Sequence, residues 1–307
     1  MNAGLLDTIT GNFVNALLTA TTALSSQYSL GLLAIFASIT FYLHMGQLTM
    51  AGSLVTGDVL ASFVLALVKI GTFFWLLTFL PHIGTAAFQT FLQWGMAASG
   101  NTVVAQRFNS PSLIVDLGFT TAKPLKQFID HLSGTGNLFY FFTIQGYWVA
   151  YWLIVLAFLF VALHLMLTII EYQLAVLAGT VLIPWGVLGP MAFFSEFSIG
   201  WITGGLVRVL ATGAIVGLAV PLFNQVKFTQ TGGGDPTWYS ALVAAMTSFV
   251  FAILAWLVPG RAAAIAGRGV SLAIHGGALL AGAAGPLRGV IMVTTAIRGI
   301  SSLVRRH

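Results

Sequence analysis

The sequence predicts an all-α, polytopic helical membrane protein: about five transmembrane helices plus amphipathic helices. Three observations predict it. Apolar residues form 58% of the 307-residue chain and charged residues only 6%, where a soluble domain carries about 25% charged. Mean hydropathy is +0.96. The apolar residues also fall in stretches close to the ~20 residues that cross ~30 Å of hydrocarbon. So few charges cannot cover a globular surface, and disorder needs the opposite composition. The chain has no cysteine, which removes disulfide frameworks, thiolate metal sites and cysteine nucleophiles.

Segment 3–24 alternates Leu5, Leu6, Ile9, Phe13, Leu17 and Leu18 with Asp7, Thr10, Asn12 and Asn15, the period of an amphipathic helix lying at an interface. No Lys or Arg precedes Lys69, so this segment lacks the basic flank of a secretory signal. Segment 28–45, ending in Tyr42 and His44, is a first candidate span, and 60–79 a second, with Lys69 at its centre. Pro81, Gly84, Gly100, Asn101, Pro111, Pro124, Gly134 and Gly136 then interrupt residues 80–145, which also hold Arg107, Asp116, Lys123, Lys126 and Asp130. This region reads as extramembrane, with two or three amphipathic helices.

Residues 146–189 are almost uniformly apolar. One helix over all of them would run about 66 Å, twice the hydrocarbon thickness. A hairpin would need turn residues near Glu171, and none is there; the breakers come later, at Gly179, Pro184, Gly186, Gly189 and Pro190. The expectation is one long helix to about residue 178, then a broken segment over 179–190 at or dipping into the membrane face, covered by protein or a watery cavity. Segments 198–222 and 238–258 are the last spans. Between them Thr231 to Pro236 reads as a turn, with Asp235 as N-cap and Pro236 as first helical residue. The domain scheme is therefore 1–79, 80–145, 146–258 and an Ala/Gly-rich basic tail, 259–307, whose last stretch from Leu287 suits a surface-lying basic helix. That tail carries Arg261, Arg268, Arg288, Arg298, Arg305 and Arg306 and no acid, which places the C-terminus in the cytoplasm. Five crossings then put the N-terminus and 80–145 outside; six would put both inside. Five is the preferred count.

The region 171–223 carries Glu171-Tyr172-Gln173-Leu174, Gly179, Ile183-Pro184-Trp185-Gly186, Phe193-Phe194, Glu196, Ile199-Gly200 and a glycine-rich span with Arg208. Val258-Pro259-Gly260 and an Ala/Gly run follow. In order and spacing this pattern resembles the TrbL family of conjugal transfer proteins, polytopic inner-membrane subunits of type IV secretion systems. The resemblance implies five spans, a periplasmic N-terminus, a large periplasmic region between spans two and three, and a cytoplasmic C-terminus. It further implies a non-enzymatic scaffold or channel subunit in the bacterial inner membrane, moving single-stranded DNA with bound protein, or pilus subunits. The implied partners are other type IV secretion subunits, including periplasmic pilus or stalk proteins.

The candidate site residues are the intramembrane polar ones, because each buried charge costs about 2.5–3.5 kcal/mol on insertion scales. Lys69 and Arg208 either pair with carboxylates or carbonyls between helices, or form positive rings in an oligomeric pore that favour anionic cargo. His164, Thr168 and Glu171 share one helix face as a helix–helix seam or a proton path, and Glu171 is the natural partner for Arg208. Gly200 and Gly204 have the spacing of close helix packing, within the chain or between copies. Pro184, Gly186 and Pro190 form the helix break. The aromatic cluster from Phe139 to Trp152 reads as an interfacial belt, and the tail arginines as contacts to membrane lipid, with transient contact to single-stranded DNA the alternative. Residues 232–234 lack the Lys-Ser/Thr of a phosphate loop. With no nucleophile–base set or metal-ligand spacing, the expectation is no enzyme, no cofactor and no metal. The rival reading is a secondary transporter for a small solute, supported by the broken segment.

Overall fold

The structure is a computed structural model that describes residues 4–50, 57–98, 110–134, 141–225 and 236–268. Helix fills nearly all of them, and no strand occurs among the described residues. The helices are α1 (Gly4–Ala23), α2 (Leu30–Met50), α3 (Gly57–Ala97), α4 (Pro111–Gly134), α5 (Phe141–Leu182), α6 (Ala192–Gln225) and α7 (Trp238–Arg268). Five stretches are long and apolar enough to cross a membrane: Gly4–Gly46, Phe63–Ala97, Phe141–Val187, Gly189–Ala219 and Trp238–Ala266. The chain is a multi-pass membrane protein.

The first correction to the sequence reading is at the N-terminus. The amphipathic segment and the first span are one continuous helical rod: α1 passes into α2 through a π turn, Leu24–Ser29. The π turn makes a contact with the next helix. Pro81 lies inside α3 and has no N–H for the carbonyl of Leu77, four residues earlier. The hydroxyl of Ser25, in the π turn, donates to that carbonyl at 2.8 Å in a buried position. Because the freed acceptor is satisfied, α3 passes Pro81 and Gly84 and ends only at Ala97. The domain boundary drawn at 79/80 therefore falls inside a helix.

The second correction follows. Of residues 80–145, 80–97 belong to α3 and Pro111–Gly134 form one amphipathic helix, α4; the remaining residues expected to carry further amphipathic helices lie largely outside the described residues. The N-terminus of α4 is capped from a distance: Asp7 of α1 accepts the backbone N–H of Ser112 at 3.0 Å and the Ser112 hydroxyl as well. Pro111 holds the first helical position, where its missing N–H costs nothing. Ile114, Ala122, Leu125 and Ile129 bury one face of α4 along the first half of α5. A Cβ on Gly118 would stand 2.6 Å from Phe158, so a glycine is needed for that approach.

No Gly or Pro occurs between Tyr147 and Ala178, and α5 runs unbroken for 42 residues, about 63 Å. Two 3-10 turns follow, Ile183–Val187 and Gly189–Met191, with Leu188 extended between them. The start of α7 is a third correction. Thr237 is the cap, its Oγ1 accepting the Ser240 N–H at 3.3 Å, and Pro236 lies outside the helix. Asp235 is outside the described residues, as are the Gly232–Gly234 turn, Arg107 and the basic stretch from Leu287. α7 also continues past residue 258, through Pro259, to Arg268.

Side-chain contacts fix the helix directions. Leu80 lies against Gly179 and Gly84 against Val176, so α3 opposes α5. Glu171 meets Arg208 and Phe158 meets Phe223, so α6 opposes α5. Tyr147 meets Trp238 and Phe160 meets Trp256, so α7 runs with α5. Ser25 at Leu77 and Phe41 at Phe63 set the α1–α2 rod against α3. Five rods alternate in direction, and Gly4 and Arg268 lie at opposite ends of the bundle.

Candidate functional site

The candidate polar residues named from the sequence fall in two places, the helix break and the facing surfaces of α5 and α6. At the break, Pro184 and Pro190 supply no N–H. The carbonyl of Val187 takes two hydrogen bonds from other spans, from Lys69 Nζ and Thr40 Oγ1, each at 3.5 Å. Trp185 packs between Phe36 and Phe194, with ring centroids 4.7 and 5.6 Å away. A Cβ on Gly186 would lie 2.4 Å from the Phe73 ring and 2.8 Å from Ser195 Oγ. Irregular backbone at this position is thus tied down by α2, α3 and α6, as membrane proteins require.

The second place is the α5–α6 face. Arg208 Nη1 donates to Glu171 Oε2 in an ion pair. The pair is not sealed: the two side chains are 26% and 46% exposed. One turn deeper, Thr168 Oγ1 donates to the His164 carbonyl at 2.9 Å, which satisfies the hydroxyl inside its own helix. His164 is 3% exposed and packs against Trp256. Neither of its ring nitrogens has a partner, nor does Nε of Arg208. Lys69 is far along the chain from this group and sits at the break instead.

A cleft of about 860 Å³ opens beside the ion pair, between α5, α6 and the last turns of α7. Thr168, Glu171, Tyr172 and Ala175 line one side, and Gly260, Ala263 and Ala264 another. Along α6 run Phe193, Glu196, Phe197, Gly200, Trp201, Gly204, Gly205 and Arg208. Gly200 and Gly204 are buried residues that line this cleft, and close backbone contacts are made elsewhere on α6. A Cβ on Gly95 would stand 2.3 Å from the Leu210 carbonyl oxygen, on Gly213 2.9 Å from that of Leu92, and on Gly217 2.7 Å from that of Met96. These three glycines let α3 and α6 touch backbone to backbone. The four-residue spacing of Gly213 and Gly217 was open to the same reading as Gly200 and Gly204. Pro190 and Gly189, counted with the break, sit apart from the packed core: nothing lies within 4 Å of a Cβ at Gly189.

Tyr172, which lines the cleft, ties α5 to α3. It is buried, its hydroxyl donates to the Gly84 carbonyl at 2.8 Å, and its ring rests on Phe88 at 5.5 Å. Sequence reading passed over it, although a tyrosine deep in a span has one hydroxyl to satisfy. No group of three or more His, Cys, Asp or Glu with metal-holding geometry occurs among the described residues.

A family model described as TrbL/VirB6 plasmid conjugal transfer protein covers residues 37–258. Among curated proteins nothing matches.

Proposed function

The chain belongs to the TrbL/VirB6 family, components of conjugal transfer by type IV secretion, and from that premise we propose that it is a scaffold-and-conduit subunit in the bacterial inner membrane. The observation that carries the reading is the extent of the family match, which runs from within α2 to α7 and includes the break and the Glu171–Arg208 pair. In this reading the subunit does no covalent chemistry. It assembles as a homo-oligomer, braces periplasmic pilus or stalk proteins through α4 and its flanks, and supports passage of single-stranded DNA with bound protein. Arg261 and Arg268 at the end of α7, with the tail arginines beyond, support a cytoplasmic C-terminus, with Gly4 and α4 then on the periplasmic side.

The test is conjugation. Deleting the gene is expected to lower transfer frequency by several orders of magnitude, with restoration in trans. Donor cells that transfer normally without the protein would exclude the role. Compartment-specific reporters at the two ends check the orientation, and both ends in one compartment would exclude the five-span arrangement. The transporter reading has the cleft beside an interrupted helix in its favour. Solute-specific uptake by proteoliposomes of the purified protein would support it over the conduit.

A further inference from the structure

We infer that the α5–α6–α7 cleft is a water-filled vestibule, entered at the Phe193–Glu196 end and reaching His164 in the middle of α5, whose inner end binds a small hydrogen-bonding species, water being its ordinary occupant. The inference rests on the bundle arrangement alone and stands or falls independently of the role in secretion.

Three observations support it. The first is charge. Glu171, Glu196 and Arg208 all line the cleft, two carboxylates to one guanidinium. Glu171 takes Arg208, and Glu196 has no ion-pair or hydrogen-bond partner among the described residues. Glu196 lies within the candidate span Gly189–Ala219, where an unpaired carboxylate is tolerated if water solvates it. The second is the orphaned atoms. Both ring nitrogens of His164 and Nε of Arg208 are buried without a partner. An unsatisfied buried polar atom costs about 1–3 kcal/mol, and an imidazole always has at least one N–H to donate. Thr168, one turn from His164 on the same face, lines the cleft. Water entering past Arg208 and Thr168, which both line the cleft, would find partners in Arg208 Nε, the Thr168 hydroxyl and, one turn deeper, a nitrogen of His164. The third is room. About 860 Å³ far exceeds the ~30 Å³ share of a single water, and the walls at Gly200, Gly204, Gly260, Ala263 and Ala264 have no side chain long enough to fill it.

The chain's lack of cysteine gives a direct test. Single cysteines are placed at Glu196 (E196C), Thr168 (T168C) and, as a lipid-facing control, Val250 (V250C), which is 54% exposed on α7. Full-length protein in oriented membrane vesicles is treated with a membrane-impermeant thiol reagent from each side, and total thiol is counted after denaturation. Thr168→Cys is expected to react from the same side as Glu196→Cys, at least ~10-fold faster than Val250→Cys. Labelling of Thr168→Cys no faster than the control overturns the vestibule. Adding His164→Leu to Thr168→Cys removes the polar lining at the inner end and is expected to slow labelling several-fold. An unchanged rate overturns the site at His164. Thr168→Cys is nearly isosteric, so the fold is expected to survive; vesicles are scored only where denatured thiol matches protein content.

Discussion

Helix α6 shows the same kind of residue put to opposite uses on its two faces. Toward α3 it presents Gly213 and Gly217, pressed on the backbone of Leu92 and Met96. Toward α5 and α7 it presents Gly200, Gly204 and Arg208, which border the cleft. At 100° per residue these sets lie on opposite sides of the helix. One glycine pair removes side chains so that backbones meet; the other lines the wall of the cleft. What separates the two is the partner. α3 brings Gly95 to the contact, so small meets small. Beside the cleft, α5 brings Glu171, whose charge must keep either Arg208 or water. A small-xxx-small spacing therefore marks a helix face that admits something, and the facing element decides whether that is a helix or solvent.

The largest expected effect breaks the closed side. Gly95→Val puts side-chain atoms against the Leu210 carbonyl, and backbone cannot swing away as a flexible side chain would. Overpacking costs typically about 1–3 kcal/mol, and more when backbone must shift. The variant is expected to lose accumulation and to unfold at markedly lower temperature in detergent. Gly204→Ala, on the cleft side, is expected to change thermal stability by less than about 0.5 kcal/mol. Equal losses in the two variants would erase the contrast.

Next is Ser25→Ala, which leaves the Leu77 carbonyl without a donor beside Pro81. The expected cost is about 1–3 kcal/mol, read as a lower melting temperature. Pro81→Ala returns an N–H to Leu77 and is expected to rescue the Ser25 loss. If the double variant is no better than Ser25→Ala alone, the proposed link between π turn and proline is wrong.

The open side predicts a smaller number. With both partners partly exposed, coupling between Glu171→Gln and Arg208→Gln in a double-mutant cycle is expected to be no more than about 1 kcal/mol, shrinking as salt rises. A coupling of 3 kcal/mol or more, typical when one member of a buried pair is removed, would mean the cleft is dry. Smallest is Asp7→Ala, which removes the cap of α4. About 1 kcal/mol is expected, localised as faster amide hydrogen exchange at Ser112 and its neighbours with the spans unaffected.

Much of the fold was readable from residue order. The uninterrupted run from Tyr147 to Ala178 required a long rod. Pro184 and Pro190 required a break, and the pairing of Glu171 with Arg208 followed from the cost of two opposite charges in one membrane. What escaped was non-local. Pro81 looked like a helix end because its repair comes from Ser25, 52 residues away in sequence. The start of α4 was not legible because its N-terminus at Ser112 is closed by Asp7, 105 residues away. The cap at Thr237 lost to Asp235-Pro236 on local propensity alone.

The family match and the membrane class were set by the sequence itself, because hydrophobic length and motif order are properties of the linear chain. Which glycines touch, which carbonyls are rescued, and whether a face is sealed or hollow were decided only in three dimensions. Those outcomes depend on what a distant segment brings to the same place, and no local pattern records the chemistry of a neighbour not yet met.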